Sequence, residues 1–200
     1  MSGLRERKKQ ETRSRLGDAA ARLFAERGYD DVSMSDVARA AGVAEQTVYN
    51  YFPTKPDLVL DHADEVLRRI TVAIAERPPG QSPADAMRAV VHADIERYVG
   101  DDPVLARGQF PAQCRRSPTL RRRALEFYDD LSTAVSTALD DTDLQPMTRR
   151  SRAAALVAVT QQVTEAIGDA VLSDADRDET RRSLLAAVDD ALDDIAARSA

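Results

Sequence analysis

The chain has 200 residues, 43% of them hydrophobic, with 4% aromatic residues and no Trp, which predicts a core built mainly from Ala, Leu, Val and Ile. It contains no run approaching the roughly 20 apolar residues of a membrane span and no apolar stretch behind its charged N-terminus that would make a secretory signal. Its single Cys excludes an internal disulfide and argues against a cysteine-built metal site. We therefore expect a soluble cytoplasmic protein, not associated with a membrane, that uses neither a metal nor a cofactor.

The net charge of -6 is unevenly distributed along the chain. Residues 1–56 hold ten Lys and Arg against eight Asp and Glu, whereas residues 57–200 hold eighteen against twenty-six. A basic head on an acidic body is typical of a protein that contacts DNA phosphates with one end only. A solvated helix of mixed charge would give the same distribution.

The first 56 residues predict three short helices. Apolar residues recur at helical spacing up to Gly28, which ends the first helix in the usual way. A Ser-x-x-Asp capping pattern beginning at Ser33 predicts a second helix that reaches Ala40. Gly42 supplies the left-handed conformation of a tight corner, and a third helix follows over about 44–51.

The remaining residues also predict helices, so the fold class is all-α. Thr54 is a candidate N-cap for a long fourth helix that reaches Ile74. Further helices are predicted at about 83–99, 119–139, 148–172 and 176–198, with one more short helix possible within the irregular stretch 100–118. The chain therefore divides into three short helices over 1–56 and a helical remainder over 57–200 that begins with the fourth helix.

The spacing between the second and third helices fits a helix-turn-helix. Ala38 stands where the two helices cross most closely, and Gly42 makes the turn four residues later. Val37 and Val48 are apolar positions that would hold the two helices at a steep angle. The second helix of such a pair is free to enter a DNA major groove, although a purely structural helical hairpin has the same pattern.

The segment LFAERGYDDVSMSDVARAAGVAEQTVYNYFPTKPDLV is similar to the DNA-binding signature of the TetR family, and the similarity covers about residues 10–62. The resemblance implies an Ω-shaped, all-helical homodimer that binds a palindromic double-stranded DNA operator. It also implies a helix-turn-helix DNA-binding domain over residues 1–56 and a helical ligand-binding and dimerisation domain over 57–200 that senses a small molecule of unknown identity.

The resemblance implies DNA contacts by ten residues. Gln46, Thr47 and Asn50 are the expected base readers, because amide and hydroxyl groups match base-edge donors and acceptors. Tyr49 and Tyr51 would contact phosphates, as would Lys55 with support from the positive end of the fourth helix. The remaining candidates are Glu45 on the recognition helix and Ser33, Met34 and Ser35 at the start of the second helix.

Two positions depart from the family pattern. Ala44 stands where the family often has Ser or Thr, so the recognition helix lacks a side-chain N-cap, which costs about 1 kcal/mol. Glu45 brings a carboxylate close to DNA, where it would either accept from a cytosine amine or serve the helix dipole.

Other reactive residues carry weaker signals. His62 and His92 lack partners at metal-ligand spacing. Cys114 could be oxidisable if Arg115 and Arg116 lower its pKa, or it could simply pack in the core. The arginines at 115, 116 and 121–123 could attract an anionic ligand. Because side chains at successive positions of a helix point in different directions, a solvated helix face explains these arginines better. Neighbouring aspartates such as Asp189-Asp190 fit a solvated surface for the same reason, and no nucleophile or phosphate-loop motif appears. We therefore do not expect an enzyme.

We expect a homodimer through the last two helices, because each carries an apolar stripe. The stripes are Leu156, Val159, Val163, Ile167 and Val171 on the first, and Leu185, Val188, Leu192 and Ile195 on the second. The alternative is that both stripes face only the chain's own core.

Six residues are candidate ligand contacts, because aromatic, Met and amide side chains suit a ligand of mixed polarity: Met87, Tyr98, Phe110, Phe127, Tyr128 and Gln162. Ligand binding there would move the fourth helix and change the separation of the two heads. Three functions stay open at this point: a repressor released by a ligand, a regulator or activator without an effector, and a helical protein-interaction module that has lost DNA binding.

Overall fold

The computed structural model describes residues 2–60, 63–99, 109–139 and 144–198, with side chains except at positions 2–6, 98, 109 and 110. Over these ranges the chain is helical and contains no strand, as the sequence predicted. The α-helices are α1 (Ser2–Arg27), α2 (Met34–Ala41), α3 (Glu45–Tyr51), α4 (Ala63–Ala75), α5 (Pro83–Val99), α6 (Gln109–Arg116), α7 (Pro118–Ala138), α8 (Pro146–Leu172) and α9 (Arg177–Ala197), and a 3-10 helix spans Lys55–Leu58. None of the helices in these ranges is both long enough and apolar enough to cross a lipid bilayer.

The chain divides into two compact units, Met1–His62 and Ala63–Ala200. In the first unit α2 packs against α1 and α3. Its core consists of Leu16, Ala19, Ala20, Phe24, Tyr29, Val32, Met34, Val37, Ala38, Ala41, Val48, Phe52 and Leu58, all buried.

The predicted start of the fourth helix is wrong. The Asp57 carboxylate accepts hydrogen bonds from the Thr54 backbone N–H at 2.8 Å and from its hydroxyl at 2.7 Å. This cap begins the 3-10 helix at Lys55–Leu58, whereas α4 begins at Ala63. The cap was correctly located by the sequence, but it starts a single short turn instead of the long helix.

The second unit is a helical bundle around one apolar core. In it α5 packs on α9 and α8, and α7 packs on α4 and α8. The apolar stripe of α8 contributes the buried residues Leu156, Val159, Val163 and Ile167 to this core, and α9 contributes Val188 and Leu192. The stripes that suggested a dimer interface are therefore used largely by the chain's own core.

Charged residues tie α5 to α9 at one surface of this unit. Arg88 donates to the carboxylates of Asp189 at 2.6 Å and Asp193 at 2.5 Å. The His92 Nε2 lies 2.9 Å from the Asp189 Oδ1. The Arg88 guanidinium is the main reason that the pKa of Asp189 is lowered from its usual value of 3.8. Asp189 and Asp193 on α9 therefore pair with the Arg88 guanidinium on α5.

Helices α6 and α8 approach each other closely at Gly168. A Cβ added there would lie 2.7 Å from the carbonyl oxygen of Pro111 on α6. Beside this contact the Arg115 side chain donates to Asp169 at 2.7 Å. The absence of a side chain at Gly168 thus allows the two backbones to meet.

Candidate nucleic-acid interface

The start of α2 is fixed by a reciprocal cap between Ser33 and Asp36. The Ser33 hydroxyl accepts from the Asp36 backbone N–H at 3.1 Å, and the Asp36 carboxylate accepts from the Ser33 backbone N–H at 2.9 Å. Hydrogen bonds from Ser33, supported by the charges of Arg27 and Arg39, lower the pKa of Asp36. The capping box predicted from the sequence is confirmed, and it commits the Ser33 hydroxyl to the helix end.

Gly42 turns the chain between α2 and α3. It has the left-handed φ of 65°, and its backbone N–H bonds to the carbonyl of Arg39 at 3.2 Å. The crossing of the two helices is filled by Val37, Ala38 and Val48, all buried. The residues that predicted a helix-turn-helix therefore occupy the positions that this motif requires.

Helix α3 presents most of its residues to solvent. Of its seven residues only Val48 is buried. Glu45, Gln46, Tyr49 and Asn50 are exposed. Because α3 buries one residue, the rest of its surface is available for contact with DNA, whose major groove is wide enough to admit an α-helix.

The two amide base-reader candidates are joined on this surface. The Gln46 Nε2 donates to the Asn50 Oδ1 at 3.3 Å. Between them, Thr47 is half-buried. The hydrogen bond limits the rotamers of both amides, so the pair forms one donor and acceptor surface with reduced side-chain freedom.

Other predicted contacts differ in how much of each side chain is accessible. Tyr49 is 42% exposed, whereas Met34 is only 6% exposed. Ser35 and Tyr51 are half-buried. The Met34 side chain packs in the core, so its predicted contact with DNA would have to use its backbone N–H, and it stays a prediction. Ala44 stands at the N-cap of α3 without a side-chain hydrogen bond, as expected.

Lys55 contacts residues that follow α1, and the sequence did not predict these contacts. Its ammonium lies 4.1 Å from the centroid of the Tyr29 ring and donates to the Asp30 carbonyl at 3.3 Å. Partial burial lowers the pKa of Lys55. Because α4 does not begin at this residue, the expected support from its helix end is not found, and Tyr29 and Asp30 position the ammonium instead.

Sequence reasoning gave no role to Arg13. Its guanidinium carbon lies 4.7 Å from the centroid of the Phe52 ring, and the group donates to the Tyr51 carbonyl at 3.4 Å. Arg13 thus connects α1 to the end of α3. Local periodicity carries no signal for this contact, because the two residues are far apart in sequence.

Cys114 does not have the environment of a redox sensor. It is buried, and burial raises the pKa of its thiol to about 12. Arg115 binds Asp169 and does not stabilise a thiolate. The reading of Cys114 as a packed core residue is the one that the structure supports.

The described residues contain no group of side chains suited to a metal ion. His92 is engaged with Asp189, while His62 lies outside the described ranges. Arg116, Arg121 and Arg122 are exposed, as expected of a solvated face.

The structure describes the side chains of four of the six predicted ligand contacts. Met87 is fully buried, and Phe127 and Tyr128 are half-buried against the same core. Gln162 is exposed on α8, so contact with a ligand inside the bundle is no longer expected. The side chains of Tyr98 and Phe110 lie outside the described part of the chain.

The family model for bacterial regulatory proteins of the tetR family matches residues 16–61, which include the whole helix-turn-helix. Residues 16–61 thus form a domain of the TetR-family type. Among the chain's relatives is the HTH-type transcriptional repressor KstR of Rhodococcus jostii, 36% identical over 95 residues, 48% of this chain and 44% of KstR. The matched segment thus spans less than half of that relative's length.

Solved structures show the same fold over nearly the whole chain. One is NalD, the secondary repressor of the MexAB-OprM multidrug efflux pump in Pseudomonas aeruginosa, with a TM-score of 0.60, 17% identity, and coverage of 92% of this chain and 97% of NalD. Another is a SmeT–triclosan complex, with a TM-score of 0.61, 17% identity, and coverage of 89% and 90%. At these identities the likeness concerns the fold alone.

Proposed function

We propose that the protein is a DNA-binding transcriptional regulator, a repressor that a small molecule releases from a palindromic operator. The observation that carries this proposal is α3, which buries only Val48 and exposes the bonded amides of Gln46 and Asn50. A relative named as a repressor, KstR, supports the direction of regulation.

Fluorescence anisotropy on the DNA upstream of the protein's own gene tests DNA binding. We expect tight, salt-dependent binding to a specific duplex. Asn50→Ala removes a base contact and should lower affinity for that duplex by about tenfold to a hundredfold, with less effect on unrelated DNA. Thr133→Ala, at an exposed position on α7, is the control and should bind normally.

If the upstream DNA fails to bind, selection from a random duplex library extends the test to operators elsewhere. Failure to enrich any sequence from that library would contradict the proposed function. Once an operator is known, the same anisotropy assay measures whether a small molecule releases the protein.

The proposed regulator acts as a homodimer through α8 and α9. Since the apolar stripes lie in the core, the contact must use the opposite faces, where Ala154, Ala158 and Gln162 on α8 are exposed. Small side chains at such positions let two helices approach closely, and a two-fold axis would bring equivalent faces together.

Light scattering coupled to size-exclusion chromatography tests this dimer. Ala158→Arg places a long cation on the proposed contact face and should shift the protein to a monomer. Thr133→Arg adds the same group on α7 and should leave a dimer. A monomeric unmodified protein at micromolar concentration, or a dimer that survives Ala158→Arg unchanged, would contradict the arrangement.

A further inference from the structure

The second unit contains a cavity of about 340 Å³ where the loop before α5, the start of α8 and the end of α9 meet. This volume lies near the lower end of the range of about 300–1,000 Å³ that small-molecule pockets occupy. None of the four predicted ligand contacts whose side chains the structure describes, Met87, Phe127, Tyr128 and Gln162, lines it. The cavity is therefore a different site from the one that the sequence suggested.

Most of the cavity wall is apolar and firmly packed. Leu139, Leu156 and Ala84 line it and are almost fully buried. Ile195 of α9 completes this wall and is half-buried against the core. Such a surface favours the apolar body of a ligand, because binding removes that body from water.

The polar part of the wall includes one positive charge, Arg152 of α8. Arg152 is half-buried and has no hydrogen bond or ion pair with any residue that the structure describes. A guanidinium favours bidentate pairing with a carboxylate, whose two oxygens match its fork of N–H donors.

The acidic group on the first turn of α5 is already committed to other partners. The Asp85 carboxylate accepts a hydrogen bond from the Ser82 hydroxyl at 2.7 Å, and its Oδ1 lies 3.5 Å from the Nη2 of Arg88. The hydrogen bond from Ser82 and the charge of Arg88 lower the pKa of Asp85. Arg152 is thus a cation beside an apolar cavity, and Asp85, which follows the lining residue Ala84, is paired with Ser82 and Arg88.

We propose that this cavity binds a small amphipathic carboxylate. The carboxylate would pair with Arg152, and the apolar body would lie against Leu139 and Leu156. Its role as an effector that releases DNA rests on the function proposed above, whereas the binding itself does not.

Isothermal titration calorimetry of the full chain with octanoate tests the site. Octan-1-ol has an apolar body of the same length without the charge. Arg152→Gln removes the cation, and Arg150→Gln removes an exposed cation from the same helix outside the cavity. Ala196→Leu, at a half-buried lining position, reduces the space.

We expect octanoate to bind the unmodified protein and the Arg150→Gln variant equally. Arg152→Gln should weaken octanoate binding by about tenfold or more, and Ala196→Leu should weaken octanoate and octan-1-ol alike. Circular dichroism establishes that each variant is folded. Absence of octanoate binding, equal affinity for octan-1-ol, or unchanged affinity in Arg152→Gln would overturn the proposal.

Operator binding measured on the same samples separates this proposal from the proposed function. Octanoate binding without any DNA binding would support the site and contradict the regulator. DNA binding without octanoate binding would contradict the site alone. If octanoate released DNA from the unmodified protein but not from the Arg152→Gln variant, the cavity would be supported as an effector site.

Discussion

The ammonium of Lys55 lies over the face of the Tyr29 ring, 4.1 Å from its centroid. A residue expected to contact phosphate is therefore also part of the internal structure of the head. Its hydrogen bond to the Asp30 carbonyl uses one of three donors, which leaves two for a phosphate.

Replacing this lysine should change both stability and DNA binding. Lys55→Met keeps a long apolar stem but removes the cation–π contact, so the free energy of unfolding should fall by about 0.5–1 kcal/mol. Operator affinity should also fall, and the slope of log affinity against log salt should decrease by about one. Urea denaturation and anisotropy at several salt concentrations measure the two effects.

Lys8→Met is the control for stability, because Lys8 is exposed on α1. It should unfold at the same urea concentration as the unmodified protein. If Lys55→Met and Lys8→Met were equally stable, the ring contact would have no energetic role.

Because of the cap at the start of α2, part of the free energy of unfolding of the first unit should depend on pH. The folded-state pKa of Asp36 lies below its ordinary value of 3.8, chiefly because Ser33 donates to the carboxylate. The stabilisation is therefore complete above pH 3.8 and is lost as the pH falls through the folded-state pKa.

Thermal unfolding of Asp36→Asn across pH measures this contribution. The variant should melt at a lower temperature than the unmodified protein at neutral pH, and the two melting temperatures should converge in acid. A difference that stayed constant from neutral pH down to the acid limit would show that the charge of Asp36 is not responsible.

Cys114 should be inert in the folded protein. Its thiol is buried and its pKa is raised to about 12, so at pH 8 almost none of it is the reactive thiolate. Ellman's reagent should label the chain slowly in buffer and rapidly in concentrated urea. Rapid labelling in buffer would restore the redox hypothesis, and Cys114→Ala identifies any background reaction.

Gly168→Ala should destabilise the second unit. In a helix interior this substitution ordinarily stabilises by about 1 kcal/mol, but here the new methyl group would meet the Pro111 backbone at 2.7 Å. We expect the free energy of unfolding to fall by about 1–3 kcal/mol. Ala93→Gly, at an exposed position on α5, is the control and should lower stability by about 1 kcal/mol.

The sign of the Gly168→Ala effect is the informative result, and urea denaturation measures it. Increased stability would mean that α6 can move aside at little cost. Such an outcome would contradict the close approach of the two helices.

Helix ends were predictable where short-range chemistry determines them. Gly28 and Gly42 both have positive φ, and α5 occupies Pro83–Val99, the range that the sequence predicted. The start of α4 was not predictable, because a cap determines where a turn begins but not how many residues follow it.

The sequence also could not identify what covers an apolar face. The stripe containing Val163 and Ile167 indicated burial correctly, but the same pattern fits the chain's own core and a dimer partner. The contacts of Arg13 and the cavity at Arg152 depend on residues brought together by packing, which periodicity along one helix does not encode.

The contact at Gly168 restricts how the second unit can respond to a ligand. A helix that rests on another through bulky side chains can tilt toward it as those side chains repack, whereas α6 already meets α8 backbone to backbone. Any displacement of α6 must therefore slide along α8 or lift away from it, and lifting would also break the bond between Arg115 and Asp169. The lack of one methyl group thus fixes the directions in which this part of the bundle can move.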